Sequence, residues 1–338
     1  MRKLGLYLGR LPGFDKRGLN RRELIECVRA ADACGYDSFW MPEAWEREAF
    51  VVLSELAVRT SRIGLGTGIV NVFSRSPALL AMSAATVDDV SEGRFRLGLG
   101  TSGARVVEDL HGVAYDRPLT RLRETIQIIR LLLSGQRADF EGECFKLERF
   151  KLGFKPLRAD IPIYVAALSP KSLRQLGETA DGWLPTHWPR AHLSGGLREI
   201  AEGAARSKRE PSLIEVAPFV NVIVNDDISK ARDAARLPLA YYVGGMGHYY
   251  HASLSRLGFS AEADGIRKAW QAGRPREAIK AVSDRLIDQV AIFGPLERCR
   301  AKLDEMYEAG ATLPLIPIPA EGSSADKRRI IESLIDRP

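Results

Sequence analysis

Much of what would announce an activity is missing from this chain of 338 residues. There are only four cysteines, at 27, 34, 144 and 299, with no CxxC pair and none of the clustering of a disulfide framework. Cys27 and Cys34 fall seven apart on one predicted helix, where buried packing is the ordinary role. The five histidines, at 111, 187, 192, 248 and 251, include no HExxH, and there is no metal-ligand cluster, P-loop or GxSxG elbow. Hydrolysis and phosphoryl transfer therefore lose their usual machinery. No apolar run reaches the ~18 residues of a membrane span, and the apolar stretch within Met1 to Arg10 is too short for a secretory signal. The expected location is the cytoplasm. Charge of one sign is scarce too: 49 basic residues against 43 acidic leave an excess of six, spread along the chain. That suits a small anionic ligand and argues against a nucleic-acid or membrane partner.

What the chain does have is glycine in regular places. Arg62-Ile-Gly-Leu-Gly-Thr-Gly68 is nearly repeated 32 residues later as Arg94-Phe-Arg-Leu-Gly-Leu-Gly-Thr-Ser-Gly103. Each is a short apolar strand that dissolves into glycines at its carboxyl end. There the missing Cβ lets the backbone turn sharply or approach a flat ligand.

These strands belong to a longer rhythm. Strand candidates begin near Leu4, Tyr36, Ile63 and Phe95, and resume at Ile161–Ala166, Gly182–Pro185, Leu213–Val224 and Leu313–Ile318. Helical patterns lie between them: Asn20 is a natural N-cap with Gly35 as the stop, and Leu122, Ile126, Ile129 and Leu133 form one apolar stripe. Eight strands each followed by helix predict a single (β/α)8 TIM barrel, with insertions at about 135–158, read as a hairpin, and about 229–290, read as helical. Barrels of this kind place their active site at the carboxyl ends of the strands. The candidates there are Glu43 and Trp45, Gly68 to Asn71, Thr101 to Gly103, Ala167 to Lys171, Thr186 to Trp188, and Asn221.

Gly98-Leu-Gly-Thr-Ser-Gly103 fits GxGxxG, yet the residues from there to Pro118 read as loop and position 123 falls inside a helix, so a Rossmann site is disfavoured. The better anion site is Ala166-Ala-Leu-Ser-Pro-Lys171. Ser169 is suited to N-cap a helix, Pro170 to its first turn, and the N–H groups with Lys171 to hold a phosphate; an ordinary capped helix is the alternative. Glu43, flanked by aromatic bulk, could exchange a proton near neutrality, or be a solvated loop acid. His187 ends a strand and can reach the same site. Lys146, Arg149, Lys151, Lys155 and Arg158, interleaved with Phe150 and Phe154, form a solvated face or a dock for an acidic tail or substrate.

With these residues in view the chain resembles the bacterial luciferase-like superfamily, in the branch of coenzyme F420-dependent oxidoreductases that includes methylenetetrahydromethanopterin reductase. The segments that carry the resemblance are Gly66-Thr-Gly-Ile-Val-Asn71 with Arg75-Ser-Pro77, Gly93 to Gly103, Tyr115-Asp-Arg-Pro-Leu-Thr-Arg-Leu-Arg-Glu124, Asp139-Phe-Glu-Gly142, Ala180-Asp-Gly-Trp183 and Gly244-Gly-Met-Gly247. The resemblance implies a non-proline cis peptide at Gly68-Ile69, bulging against the deazaflavin ring. It also implies a cofactor phosphate at the helix start formed by Ala167, Leu168, Ser169, Pro170 and Lys171, and a pocket lined by Asn71, Thr101, Ser102 and Gly103. Glu43 matches an acidic position near the reacting centre, so it is the expected proton donor or acceptor, with Trp45 and His187 shaping the substrate pocket. A homodimer is implied as well. The chain departs from the family pattern at Ser102-Gly-Ala-Arg105, where relatives have Ser-Gly-Pro-Gln, and after Gly247, where it continues His248-Tyr-Tyr-His251. Two alternatives stay open: an FMN-dependent monooxygenase on the same fold, fed by a separate reductase, and a flavin- or deazaflavin-binding protein without turnover.

Overall fold

The computed structural model describes residues 2–9 and 19–335. Eight parallel strands close into a barrel: β1 (Gly5–Tyr7), β2 (Ser38–Met41), β3 (Gly64–Thr67), β5 (Phe95–Gly100), β8 (Ile163–Val165), β9 (Gly182–Trp183), β10 (Glu215–Val216) and β13 (Leu315–Pro317). The ring is completed by a parallel bridge from Phe219 to Leu315, with Leu315 N donating to Pro218 O at 2.8 Å and Val220 N to Leu315 O at 2.8 Å. The expected barrel is present. Helices α1 (Arg21–Cys34), α2 (Ala49–Ala57), α3 (Pro77–Val90), α4 (Pro118–Leu133), α5 (Pro170–Thr179) and α6 (Leu193–Arg206) cross over between strands, as α12 (Leu296–Glu308) and α13 (Ser324–Leu334) do at the end. Their starts follow the predicted chemistry: Asn20 and Glu23 form a capping box, and Ser76 caps a helix that begins with Pro77.

The barrel interior explains the paired glycine motifs. Trp40, Tyr164, Leu184, Ala217, Leu313 and Leu315 fill it, with Trp40 and Tyr164 edge to face at 4.9 Å. A barrel of eight strands is narrow, so bulky inward residues need small ones opposite. A Cβ on Gly66 would sit 2.4 Å from the Trp40 ring, and one on Gly98 would sit 1.9 Å from the Thr67 carbonyl oxygen. The glycines inside these strands thus make room for the protein's own side chains and backbone. Only Gly68 and Gly103, beyond the strand ends, remain for the mouth.

Between the two motifs lies a bulge. Leu65 pairs with Phe95, and Val70, in the two-residue β4 (Val70–Asn71), pairs with Leu99. Five steps on one side therefore meet four on the other, and the extra residue bends the chain at Thr67-Gly-Ile69. The expected cis peptide at Gly68-Ile69 is not found: every described peptide bond is trans. The extra residue itself takes up the bend. Gly68 N donates to Met41 O at 2.8 Å, Glu43 N to Ile69 O at 3.3 Å, and the buried Thr67 hydroxyl donates to Gly98 O and accepts from Gly98 N, both at 2.8 Å.

The first insertion is the predicted hairpin, β6 (Ala138–Glu141) against β7 (Lys146–Phe150). It is anchored by buried Glu124 of α4, whose carboxylate accepts from the backbone N–H groups of Glu143, Cys144 and Phe145 at 2.8 to 3.1 Å. Gly142 is needed there, since a Cβ would lie 2.5 Å from that carboxylate. Two segments of the family pattern, around Glu124 and Gly142, are thereby one structural lock.

Three readings need correction. The strand expected over 213–224 is two: β10 stays in the barrel, and after Pro218 the chain leaves to form β11 (Asn221–Val224). The second insertion carries α7 (Ile228–Gly245), α8 (Tyr249–Leu254), α9 (Ser260–Gln271), α10 (Pro275–Lys280) and α11 (Asp284–Val290), but it ends in a strand, β12 (Ala291–Gly294), which pairs with β11. Finally, the segment after Gly103, read as loop, winds a helical turn over Val106–Leu110, because Val106 and Val107 are buried.

Candidate active site

Tyr7, Ile69 and Phe219 form the floor of the barrel mouth, packed on the aromatic interior. Phe219 meets Tyr7 edge to face at 5.0 Å, and a Cβ on Gly68 would approach its ring at 3.1 Å. The second insertion supplies one wall. His187, in the segment that follows β9 and in the left-handed region (φ 52°), lies 4.7 Å from the Tyr242 ring and 6.0 Å from Tyr250. On the other side Tyr115 stacks on Phe73 at 5.0 Å, donates to Ser102 O at 3.1 Å and shares a hydrogen bond of 2.8 Å with Tyr249. The insertion therefore packs on His187 and is linked to the Thr101 to Gly103 loop through Tyr115. Sequence reasoning gave no role to Tyr7 and Tyr242; Tyr115 was marked only as the start of a family segment, and Tyr249 and Tyr250 only through the unusual His248-Tyr-Tyr-His251 run.

Tyr7, Tyr242, Tyr250 and His187 are held neutral. Burial raises the pKa of Tyr242 to about 12, helped by the charges of Tyr241 and of Glu46 beside Trp45, and burial likewise raises Tyr7 and Tyr250. Burial lowers His187 to about 4 from its usual 6.5, and its Nε2 is sealed from solvent without a hydrogen-bond partner among the described residues. Between pH 6.5 and 4 the unfolded chain takes up a proton at this histidine and the folded chain does not, so stability falls as pH falls through that window. At pH 5 the loss is about 2 kcal/mol relative to neutrality. Urea unfolding at pH 7.5 and 5.0 checks it: in His187→Phe the pH-dependent loss should shrink by that amount, and equal losses in both proteins would reject the account.

Glu43 is engaged differently from the expectation. Its carboxylate pairs with Arg75 through both oxygens, at 2.6 and 2.9 Å, and accepts from Ala49 N at 2.9 Å at the start of α2. Arg75 also pairs with Glu48 and lies over the Phe50 ring at 5.3 Å. Burial works against the Arg75 charge, but the two carboxylates more than offset it and raise its pKa. Glu43 adjoins the bulge through its backbone while its side chain faces α2. Trp45 is 40% exposed. Asn71 is buried and spends its side-chain oxygen on the N–H groups of Phe73 and Ser74, so it shapes the turn after the bulge.

At the start of α5, Ser169 and Ser172 satisfy each other's N–H groups through their hydroxyls, and Pro170 has none to offer. Fewer free donors remain than the sequence suggests: the Lys171 N–H and its exposed ammonium, since the Ser172 hydroxyl donates to Ser169 O at 2.9 Å and the two hydroxyls bond to each other at 2.9 Å. Arg256 of the second insertion, which the sequence did not single out, donates to Leu168 O and brings a second cation to this helix start. Among the described residues there is no group of three histidine, cysteine or acidic side chains that could hold a metal.

A closed parallel barrel with a strand bulge and an aromatic mouth, walled by a long insertion before the last unit, defines the class. The luciferase-like monooxygenase family model matches residues 1–313, and the chain belongs to that family. A Mycobacterium tuberculosis protein described as a coenzyme F420-dependent oxidoreductase is 33% identical over 98% of this chain and 99% of its own length. The 5,10-methylenetetrahydromethanopterin reductase of Archaeoglobus fulgidus is 32% identical, covering 92% of each chain. Among solved structures, the coenzyme F420-dependent tetrahydromethanopterin reductase of Methanopyrus kandleri superposes with a TM-score of 0.82 at 27% identity, over 98% of this chain and 97% of that one.

Proposed function

We propose that this chain is a coenzyme F420-dependent oxidoreductase, moving a hydride between C5 of the deazaflavin and a carbon of a small organic substrate. The observation that carries this is likeness along the full length to relatives named for that cofactor. The residues at the mouth fit such a group. The bulge at Gly68-Ile69 offers bare backbone for a ring to lie against, Thr101 to Gly103 stand beside it, and Ala167 to Lys171 with Arg256 suit an anionic arm. When bound, the deazaflavin supplies the carbon that accepts or releases hydride.

The rest falls to the chain. Tyr7, Tyr242 and Tyr250 exclude water and orient the substrate with uncharged hydroxyls. His187, kept neutral, can hydrogen-bond the substrate oxygen in the tautomer that carries its proton on Nε2, polarising it without an added charge. Glu43, with both oxygens taken, holds the β2–α2 loop against the bulge through Arg75, and Trp45 borders the entrance.

Titration of the protein with F420 and with FMN, followed by cofactor and tryptophan fluorescence, separates the readings. Saturable micromolar binding of F420 with at least tenfold weaker FMN is expected; the reverse order would assign an FMN monooxygenase. F420 binding without turnover across a panel of alcohols, carbonyls and imines would favour a carrier.

A homodimer in the cytoplasm is the accompanying reading. Cys27, Cys144 and Cys299 are thiols, as a reducing compartment allows. Val51 on α2, Val58 just past its end, and Leu79, Met82 and Val90 on α3 are exposed on two packed helices. Val58→Lys with Met82→Glu should halve the mass seen by light scattering and leave the circular dichroism unchanged; an unaltered mass would remove this face from consideration.

A further inference from the structure

Away from the barrel mouth, one cavity gathers more hydrogen-bond donors than the protein uses. Its volume is about 240 Å³, and it lies where the turn Arg190–His192, α11, β12 and α12 meet. Arg190 reaches it from the turn and Arg298 and Lys302 from one face of α12, and Asp288 and Gln289 of α11 line it as well. Glu305 occupies two of the cations, at 3.1 Å from Arg190 and 2.6 Å from Lys302. Its pKa is lowered, by the Lys302 hydrogen bond first and, against burial, by the charges of Arg190, Lys302 and Arg298.

Arg298 is left over. Its Nε donates to Phe293 O at 3.1 Å and its guanidinium lies 5.8 Å from the Phe293 ring centre. Its terminal nitrogens meet no carboxylate among the described residues. The side chain folds back over Gly294, at φ 122°, where a Cβ would come within 2.8 Å of it. A narrow crevice adjoins the cavity, lined by Trp188, Pro218, Phe219 and Val220.

We propose that this cavity binds a small phosphomonoester, with its phosphate among Arg298, Lys302 and Arg190 and its organic part toward the Trp188 crevice. Three cations arranged around a volume suit a tetrahedral oxyanion, whereas a planar carboxylate needs only one arginine fork. The volume holds a phosphate with a few further atoms. Asp288 selects a ligand that brings a hydroxyl to it. Phe219, shared between the crevice and the floor of the mouth, packs on Tyr7, so occupancy bears on the active site. The site has no residue in common with Ala167 to Lys171, and its proposal does not depend on which cofactor the mouth takes.

Isothermal titration of the full chain with glycerol 3-phosphate, inorganic phosphate and acetate, at constant ionic strength, tests it in wild type, Arg298→Met, Lys302→Met and Lys171→Met. Saturable binding of both phosphates but not acetate is expected, at least tenfold weaker in Arg298→Met and Lys302→Met and unchanged in Lys171→Met. Absence of binding to wild type, acetate binding as tightly as phosphate, equal affinity in folded Arg298→Met and Lys302→Met, or loss confined to Lys171→Met would each overturn it.

Discussion

Gly98→Ala should leave little folded protein. Its Cβ would lie 1.9 Å from the Thr67 carbonyl oxygen and 3.1 Å from Leu184 Cδ1, and the nearer atom is backbone, which no rotamer change can move. Relief requires β3 and β5 to part where the Thr67 hydroxyl bridges Gly98 N and O. Both Gly98 groups would then be buried without partners. The steric and hydrogen-bond losses together should exceed about 4 kcal/mol, a large share of a domain's stability. Gly195→Ala, in α6 with only an arginine tip 3.9 Å away, should instead be neutral or stabilising by up to about 1 kcal/mol. Urea unfolding of the pair is the measurement. A Gly98→Ala protein as stable as wild type would mean that the glycines do not serve the barrel's packing, and the flat-ligand reading of both motifs would return.

Removing Arg75 should cost more than neutralising Glu43. The two side chains are only 13% and 11% exposed. Arg75→Met would strand the Glu43 carboxylate with the Ala49 N–H as its remaining partner, at a cost of about 3 kcal/mol. Glu43→Gln keeps a hydrogen-bonding shape, and Arg75 retains Glu48, so about 1 kcal/mol is expected. Because the pair steadies the loop beside the bulge, both variants should lose cofactor affinity along with turnover. The other outcome is equally clear: Glu43→Gln with native stability and cofactor affinity but turnover down by 100-fold would make Glu43 the proton carrier that its sequence position suggests. Thermal melts, F420 titration and turnover on the same two samples separate these.

The architecture was readable because its signals are local and repeated. Capping residues, apolar stripes and strands at intervals of about thirty residues each follow from backbone and side-chain chemistry within a few neighbours. Together they fix eight strand–helix units, the order of the strand ends and therefore which residues stand at the mouth. The hairpin insertion was legible for the same reason, in its glycines and alternation. Where β10 ends and β12 begins was not, since short strands are defined by the partners they find.

The roles of the site residues depend on contacts across the chain. Whether Glu43 is a proton carrier or half of an ion pair turns on Arg75, 32 positions away. Whether His187 is neutral turns on Tyr242 and Tyr250, brought over it by an insertion from the far side of the sequence. The paired glycines show the division most plainly. Their places at the strand ends are a property of the sequence, but only the filled barrel decides that Gly66 and Gly98 yield space to Trp40 and Thr67 while Gly68 stands at the mouth, because excluded volume belongs to the packed interior and to no single segment.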